Sequence, residues 1–204
     1  MRRADVWTRE GVAPCDEDLS TEQGCVNLAA ALKAKEERLH VLVNNSGTSW
    51  GAPLEKHGER GWDKVYALNV KGIFFLTREC LPLLDAGATA EDPARVINIG
   101  SIAGISPQVF PTYSYDASKA AVHHLTRKLA DELADRRDKG GHAITVNAIA
   151  PVRPVSPPRV SLHIPVSLHV PARASRSRAF FSLLRSRFLL SVACDCRRGM
   201  CRAR

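Results

Sequence analysis

The sequence predicts an α/β fold in which helices cover both faces of a doubly wound, parallel sheet. Short β-branched and apolar runs alternate with longer segments whose apolar residues recur at helical spacing. Each of three predicted strands ends in small or polar residues, where ligands bind in sheets of this class. The length of 204 residues and the hydrophobic fraction of 45% suit one domain with a buried core.

The predicted elements follow one another closely along the chain. A first helix is predicted over residues 20–39, because Ser20 and Gln23 form a capping-box pattern ahead of apolar residues at helical spacing. "HVLVNNSG" is predicted as a buried strand, and residues 60–84 as a helix that stops near Pro82. The remaining elements are the strand "ARVINIGS", a helix over residues 114–137 and the strand "AITVNAIAP".

The composition changes abruptly at Pro151. Prolines then recur every few residues, and such a density excludes helices and central strands. We therefore predict a partial α/β domain over residues 1–151 and a low-complexity, disordered tail over residues 152–204. Within that tail, "AFFSLLRSRFLLSVA" is the one segment with the composition of a short helix, although arginines interrupt it.

The positive charge of the chain lies entirely in this tail. Residues 151–204 carry eleven arginines, no lysine and one acid, Asp195, for a net charge of +10. The whole chain carries +8, so residues 1–150 carry −2. Arginine clusters can contact phosphates of nucleic acid or an anionic membrane non-specifically. Because the tail has few interleaved aromatic residues, we predict neither partner.

Targeting signals and metal motifs are not evident in the sequence. The N-terminus "MRRADVWTREG" has no apolar stretch behind its charges, and no run of about 18 apolar residues occurs. A cytoplasmic location is therefore expected. The six cysteines lack a metal-binding pattern, since "CDCRRGMC" has no fourth ligand at a recognised spacing. No metal site is predicted.

The segment "PTYSYDASKAA" places a tyrosine and a lysine on one helix face. Tyr115 and Lys119 are four residues apart, which brings their Cβ atoms to about 5–6 Å, whereas Tyr113 lies off that face. A phenol has a pKa of about 10, and a nearby ammonium in a dry cleft favours its anion. The pair therefore predicts a proton donor to a carbonyl. A solvated helix face is the alternative that the spacing alone leaves open.

Three further residues have positions typical of a ligand site. Ser101 ends a predicted strand, where its hydroxyl can hydrogen-bond a substrate carbonyl. Asn69 interrupts an apolar helix, so we predict that it holds a relay water near Lys119. Gly47 follows another strand, where a missing side chain lets a cofactor approach the backbone.

Together these motifs resemble, in order, those of the short-chain dehydrogenase/reductase family. "NNSG" is similar to the family's N-N-A-G element, "LNV" to its asparagine motif and "INIGSIAG" to its serine motif. "YDASKAA" is similar to its Y-x-x-x-K-A-A segment, and "VNAIAP" to the strand before its P-G turn. "NNSGTSWGAPLE" and "ARVINIGSIAGIS" most resemble NADPH-dependent 3-oxoacyl-thioester reductases of the rhamnolipid-synthesis type.

The resemblance implies a catalytic tetrad of Asn69, Ser101, Tyr115 and Lys119. Tyr115 is expected to donate a proton to a carbonyl or acyl-thioester substrate while a nicotinamide delivers hydride. Ser101 is expected to orient that carbonyl, and Lys119 and Tyr115 also to contact the cofactor. The implied cofactor is NADP, with NAD not excluded.

The resemblance also implies positions for the rest of the cofactor. Asp18 and Leu19 match the pair that contacts the adenine, and Asn45 and Gly47 match residues lining the same cleft. Ser46 replaces the family's usual alanine. Homo-oligomers that pair through the two longest helices are expected.

The sequence departs from the family at both ends. It contains no T-G-x-x-x-G-x-G turn, so the implied sheet is a partial Rossmann-like one that lacks its first βαβ unit. The strand "HVLVNN" is then expected to be an exposed edge, and the isolated chain to be marginally stable or to aggregate. Val152 stands where the family has glycine. A non-catalytic truncated remnant or an incomplete gene model is the alternative interpretation.

Overall fold

A computed structural model describes residues 16–136 and 141–152 in full and the backbone of residues 4–8, 11–15 and 189–194. These residues form six strands: Ala4–Thr8 (β1), Gly11–Cys15 (β2), Val41–Asn44 (β3), Ala94–Ile99 (β4), Ile144–Ile149 (β5) and Leu189–Cys194 (β6). They form four α-helices: Glu22–Lys33 (α1), Glu59–Tyr66 (α2), Ile73–Gly87 (α3) and Tyr113–Leu133 (α4). A π-helical turn, Ala67–Gly72, joins α2 to α3, and 3₁₀ turns span Leu54–Lys56 and Ile102–Gly104.

The strands form one sheet in the order β2-β1-β6-β3-β4-β5. The three strands expected from the sequence are β3, β4 and β5, and they are mutually parallel as predicted, with Asn44 opposite Asn98 and Ile97 opposite Asn147. The β1–β2 hairpin was not predicted, and β1 runs antiparallel to both of its neighbours. The predicted α/β class is confirmed.

Strand β6 corrects two expectations. The strand "HVLVNN" was expected to be an exposed edge, but β3 pairs in parallel with β6, from Val41 opposite Leu189 to Asn44 opposite Val192. Leu189–Cys194 is therefore a strand rather than disordered or helical. The segment contains no proline, and pairing satisfies backbone groups of β3 that would each cost about 1–3 kcal/mol if buried unpaired. Most of the predicted disordered tail lies outside the described residues.

The first helix is shorter than predicted and has a different cap. The hydroxyl of Thr21, rather than that of the predicted Ser20, accepts the hydrogen bond of the Gly24 amide (3.0 Å). The Ser20 hydroxyl instead donates to the carboxylate of Asp18 (2.7 Å). The helix ends at Lys33 and does not reach residue 39.

Helix α3 continues through Pro82, where the sequence predicted a stop. Proline removes one intrahelical hydrogen bond and strains the preceding turn. The next two residues, Leu83 and Leu84, are buried (4% and 0% exposed), so core packing beyond the proline offsets that cost. The helix ends at Gly87, which lies against the backbone of Leu39.

The described core lies between the sheet and the pair α1–α3. It is built from leucines and valines of these elements together with two cysteines, Cys25 and Cys80. Burial raises the pKa of the Cys25 thiol to about 11 and that of Cys80 to about 12. Both thiols therefore act as small apolar groups of the core.

We expect removal of residues 189–204 to destabilise the chain far more than removal of residues 195–204 alone. The first deletion exposes the inner edge of β3, whereas the second retains β6. Thermal unfolding and light scattering of the two truncated chains provide the comparison. Equal melting temperatures and equal aggregation would contradict the pairing of β6 with β3.

Candidate active site at the carboxyl end of β4

Lys119 connects helix α4 to the end of β4. Its side chain is 5% exposed, and its Nζ donates a hydrogen bond to the carbonyl oxygen of Ile99 (2.6 Å). The same Nζ lies 5.7 Å from the ring centre of Tyr115. The helix predicted over residues 114–137 is present as α4, which begins at Tyr113 and ends at Leu133, and it brings Lys119 to the end of β4.

Burial changes the acidity of this lysine. Desolvation in the cleft lowers the pKa of Lys119 from 10.5 to about 8. At pH 7 the ammonium is still the major form, but burial raises the free energy of the charged side chain. An anion formed next to it would therefore be stabilised more strongly than beside an exposed lysine.

The backbone around Ser101 is held by the neighbouring strand. The amide of Gly100 donates to the Ile149 carbonyl (2.8 Å), and that of Ile102 to the Pro151 carbonyl (3.1 Å). The Ser101 hydroxyl accepts a hydrogen bond from the Ala103 amide (3.2 Å). Acting as an acceptor there, the hydroxyl can still offer its proton to a substrate oxygen.

Asn69 ties the loop after β3 to α4 and is fully buried. Its Oδ1 accepts from the Thr48 amide (2.8 Å), while its Nδ2 donates to the Thr48 carbonyl (2.9 Å) and to Ser118 Oγ (3.0 Å). Ser118 in turn donates to the carbonyl of Tyr115 (2.7 Å). The π-helical turn that carries Asn69 is of a kind often found at functional sites.

Gly47 keeps open the space between Asn69 and Lys119. A Cβ at this position would lie 3.4 Å from Asn69 Oδ1 and 3.8 Å from Lys119 Nζ. A larger side chain would fill the gap between the two polar groups. The structure therefore brings three predicted residues, Gly47, Asn69 and Lys119, around one small open space.

A small, mostly apolar cavity lies near this centre, between the end of β3 and α3. Leu19, Asn44, Ser46 and Gly72 are among the residues that line it. Of the residues predicted to contact the adenine, Leu19 is on the wall, whereas the Asp18 carboxylate accepts from the Ser20 hydroxyl and amide. Asn45 is exposed and is not among the lining residues.

A chain of buried polar side chains beneath the site was not predicted. Asn44 Nδ2 donates to Thr77 Oγ1 (3.1 Å) and to Asn98 Oδ1 (2.8 Å), and Asn98 Nδ2 donates to Thr126 Oγ1 (2.9 Å). These contacts join β3 and β4 to α3 and α4. Amides within the apolar runs "LVNN" and "VINI" are the sequence signal that could have revealed them.

Replacing Asn98 by alanine is expected to lower the free energy of unfolding by about 2 kcal/mol, because buried partners lose their hydrogen bonds. The matched control is Asn147→Ala on the adjacent strand, where the side chain is half-buried. We expect this control to change stability by less than about 0.5 kcal/mol. Urea unfolding measures both variants, and equal losses would show that the buried chain contributes little.

Tyr113 has a packing role at the start of α4. Its ring is 41% exposed and lies 5.3 Å from that of His57, edge to face. The His57 Nε2 is 3.0 Å from the Oγ of Ser114, which is fully buried. These contacts hold the first turn of α4, which presents Tyr115, against the segment that follows β3.

The residues described in full contain neither a cluster of metal ligands nor a membrane-spanning helix. Among the residues described in full, no group of three or more potential metal ligands comes together. In the same part of the chain, no helix has the length and apolarity needed to cross a membrane.

Comparison with known proteins identifies the family. The family described as "short chain dehydrogenase" matches residues 5–156 of this chain. The chain belongs to the short-chain dehydrogenase family. The resemblance predicted from the sequence motifs is thereby confirmed, and the parallel strands β3–β5 with their helices are the family's fold.

Individual relatives show which branch this short-chain dehydrogenase is similar to. The rhamnolipids biosynthesis 3-oxoacyl-[acyl-carrier-protein] reductase of Pseudomonas aeruginosa is 52% identical over 147 residues, which cover 72% of this chain and 54% of that protein. The acetoacetyl-CoA reductase of Rhizobium meliloti is 33% identical over 150 residues, covering 73% and 58%. The chain spans about half the length of the curated relatives it matches.

A solved structure gives the same likeness. The Pseudomonas aeruginosa RhlG/NADP active-site complex matches with a TM-score of 0.62 and 53% identity. The match covers 67% of this chain and 51% of that one. The similarity therefore extends from the sequence motifs to the arrangement of the strands and helices around the candidate site.

Proposed function

We propose that this short-chain dehydrogenase is an NADP(H)-dependent reductase of carbonyl substrates resembling 3-oxoacyl thioesters. The observation that carries the proposal is the face of α4 on which Tyr115 and the buried Lys119 stand one turn apart. Lys119 is bound to the carbonyl of Ile99, two residues before Ser101. The likeness to the 52% identical 3-oxoacyl-[acyl-carrier-protein] reductase and to the structure of an NADP complex supports the substrate class and the cofactor.

The residues at this edge of the sheet fit the nicotinamide half of the cofactor. Gly47 leaves the approach to Lys119 Nζ free of a side chain, and this Nζ would bind the hydroxyls of the nicotinamide ribose while Tyr115 contacts the same end. Asp18 and Leu19 are the residues proposed to face the adenine, and Asn45 is proposed to line the same cleft. Bound NADPH would supply a hydride to the carbonyl carbon, and NAD(H) is the alternative cofactor.

The proton chemistry follows from the same residues. The Ser101 hydroxyl would donate a hydrogen bond to the substrate carbonyl, and Tyr115 would transfer its phenolic proton to the oxygen as negative charge develops. The ammonium of Lys119 would favour the phenolate left behind. Asn69 would hold the loop of Thr48 against the first turns of α4, and its Oδ1, which accepts one hydrogen bond from the Thr48 amide, would accept a second from a relay water.

The proposal is tested by adding NADPH and acetoacetyl-CoA to the purified full chain and following absorbance and fluorescence. We expect NADPH binding and carbonyl-dependent NADPH oxidation, with slower oxidation of NADH. The sequence has no glycine-rich turn of the T-G-x-x-x-G-x-G type, so the affinity is expected to be weaker than in relatives that contain it. Binding without oxidation would favour a non-catalytic remnant, and no binding would contradict the proposal.

We also propose that copies of the chain associate through α2–α3 and α4, the helices that overlap the predicted segments 60–84 and 114–137. Phe74 on α3 is 40% exposed, which leaves apolar surface for such a contact. Sedimentation velocity is expected to show a dimer or tetramer, and Phe74→Glu to shift it toward the monomer. A monomeric wild-type chain at micromolar concentration would contradict this association.

A further inference from the structure

His123 lies on the face of α4 that carries the proposed catalytic pair. It follows Lys119 by one helical turn and Tyr115 by two. Its side chain is 4% exposed, and its Nε2 lies 3.0 Å from the carbonyl oxygen of Ser101. Because a carbonyl oxygen can only accept a hydrogen bond, Nε2 carries the hydrogen and donates it. The proposed mechanism gives this histidine no role.

Two side chains of α4 donate hydrogen bonds to backbone carbonyls at the end of β4, and one residue separates the two carbonyls. Lys119 Nζ donates to the Ile99 carbonyl (2.6 Å), and His123 Nε2 donates to that of Ser101. The two carbonyls flank Gly100, so the backbone that leads into Ser101 is fixed on both sides. The position of the Ser101 hydroxyl relative to α4 therefore depends on both contacts.

The imidazole ring occupies space that exists because residue 100 is glycine. A Cβ on Gly100 would lie 2.4 Å from His123 Cε1 and 2.9 Å from Nε2. Such distances are too short for any side-chain carbon, so the ring rests directly on the backbone before Ser101. A residue that only filled space at position 123 would not need to lie so close to the backbone of Gly100.

The second ring nitrogen of His123, Nδ1, makes no comparable hydrogen bond within the described part of the chain. His123 Nδ1 is buried and has no hydrogen-bond partner among the residues that the structure describes. The contact with Ser101 is thus the polar interaction that fixes the ring, and in return the ring fixes that carbonyl. A buried polar ring with one unsatisfied nitrogen is costly, which argues for a role beyond filling the core.

We propose that His123 is a positioning residue that aims the Ser101 hydroxyl at the substrate oxygen beside Tyr115, a role that rests on the proposed reductase function. It acts through the backbone of Ser101 and does not touch the substrate. Loss of its donor would let the serine turn away, and a displacement on the scale of an ångström can cost about a hundredfold in rate.

The kinetic test compares His123→Leu, which keeps bulk without a donor, with His123→Gln, whose amide nitrogen can replace Nε2. We expect His123→Leu to lower kcat for acetoacetyl-CoA by about tenfold to a hundredfold with little change in KM for NADPH. His123→Gln should recover most of that loss. In a Ser101→Ala background, His123→Leu should cause no further loss, because the group it positions is gone. Additive losses, or no rescue by glutamine, would overturn the proposal.

A second measurement is independent of turnover. The side-chain rotamer of Ser101 can be followed by NMR, through its Cβ shift and three-bond couplings, in the wild type and both variants. We expect the rotamer to change in His123→Leu and to return in His123→Gln. An identical Ser101 rotamer in all three chains would overturn the positioning role, whereas an inactive wild type with the expected NMR pattern would overturn only the reductase function.

Discussion

Replacing Tyr115 by phenylalanine is expected to lower kcat for acetoacetyl-CoA by about 10²–10⁴-fold, the range typical for loss of a positioned general acid. The substitution removes the phenolic oxygen and leaves the ring beside Lys119 Nζ. NADPH binding should weaken only slightly, because Lys119 and the other residues proposed to hold the cofactor remain and only the Tyr115 hydroxyl is lost. Initial rates of NADPH oxidation and a fluorescence titration of NADPH measure the two effects separately.

The control for this substitution is Tyr113→Phe, two residues earlier on the same helix. The ring of Tyr113 packs against His57 and is partly exposed, so its hydroxyl lies outside the proposed proton path. We expect this variant to keep kcat within about threefold of the wild type. A Tyr115→Phe chain as active as Tyr113→Phe would remove Tyr115 from the mechanism.

Because of Lys119, the free energy of unfolding is expected to change with pH in the alkaline range. Its pKa falls from 10.5 to about 8 in the fold because burial penalises the ammonium. Between these two values the unfolded chain binds more protons than the folded chain at this group, so the free energy of unfolding rises with pH. The gain is about 1.4 kcal/mol for each pH unit across the window, or about 3 kcal/mol in all.

The measurement compares the wild type with Lys119→Met, which keeps the apolar stem and removes the titrating group. The difference in unfolding free energy between the two chains cancels all other titrations. We expect methionine to be the more stable residue at pH 7, and its advantage to shrink steadily from pH 8 upward. A difference independent of pH from 7 to 10 would contradict a desolvated lysine at this position. Lys119→Met should also slow NADPH oxidation, because the phenolate would lose its ammonium neighbour.

The central strands and helices were predictable because their signals are local. A β-branched run bounded by turn residues specifies β3 or β5 without knowledge of the neighbours, and helical spacing does the same for α4. The π-helical turn was not predictable, since it forms where the buried amide of Asn69 joins Thr48 to Ser118, two partners distant in sequence. Strand β6 was missed for a related reason. The residues of β6 have only a weak preference for any secondary structure, and they form a strand because they pair with the edge of β3.

The candidate site also combines residues predictable from local signals with residues that depend on long-range contacts. The juxtaposition of Tyr115 and Lys119 follows from a spacing of four residues on a helix, whatever the tertiary structure. Ser101 and Asn69 were singled out by a strand end and by a polar residue in an apolar helix, but these local signals could not show that the two side chains belong to one site. His123 continues the spacing of the pair by one more turn, so a polar residue on a buried helix face was the available signal. Its partner, a backbone carbonyl, has no sequence signature.

The proposed reaction is the transfer of a hydride to a carbonyl at the end of β4, with Tyr115 as proton donor. The most direct test is to react the full chain with acetoacetyl-CoA and [4,4-²H₂]NADPH and to analyse the product by mass spectrometry. The account predicts a 3-hydroxyacyl product with one deuterium on its carbinol carbon, formed by the wild type and nearly lost in Tyr115→Phe. Loss of NADPH without deuterium in the product, or equal labelling by the two chains, would contradict it.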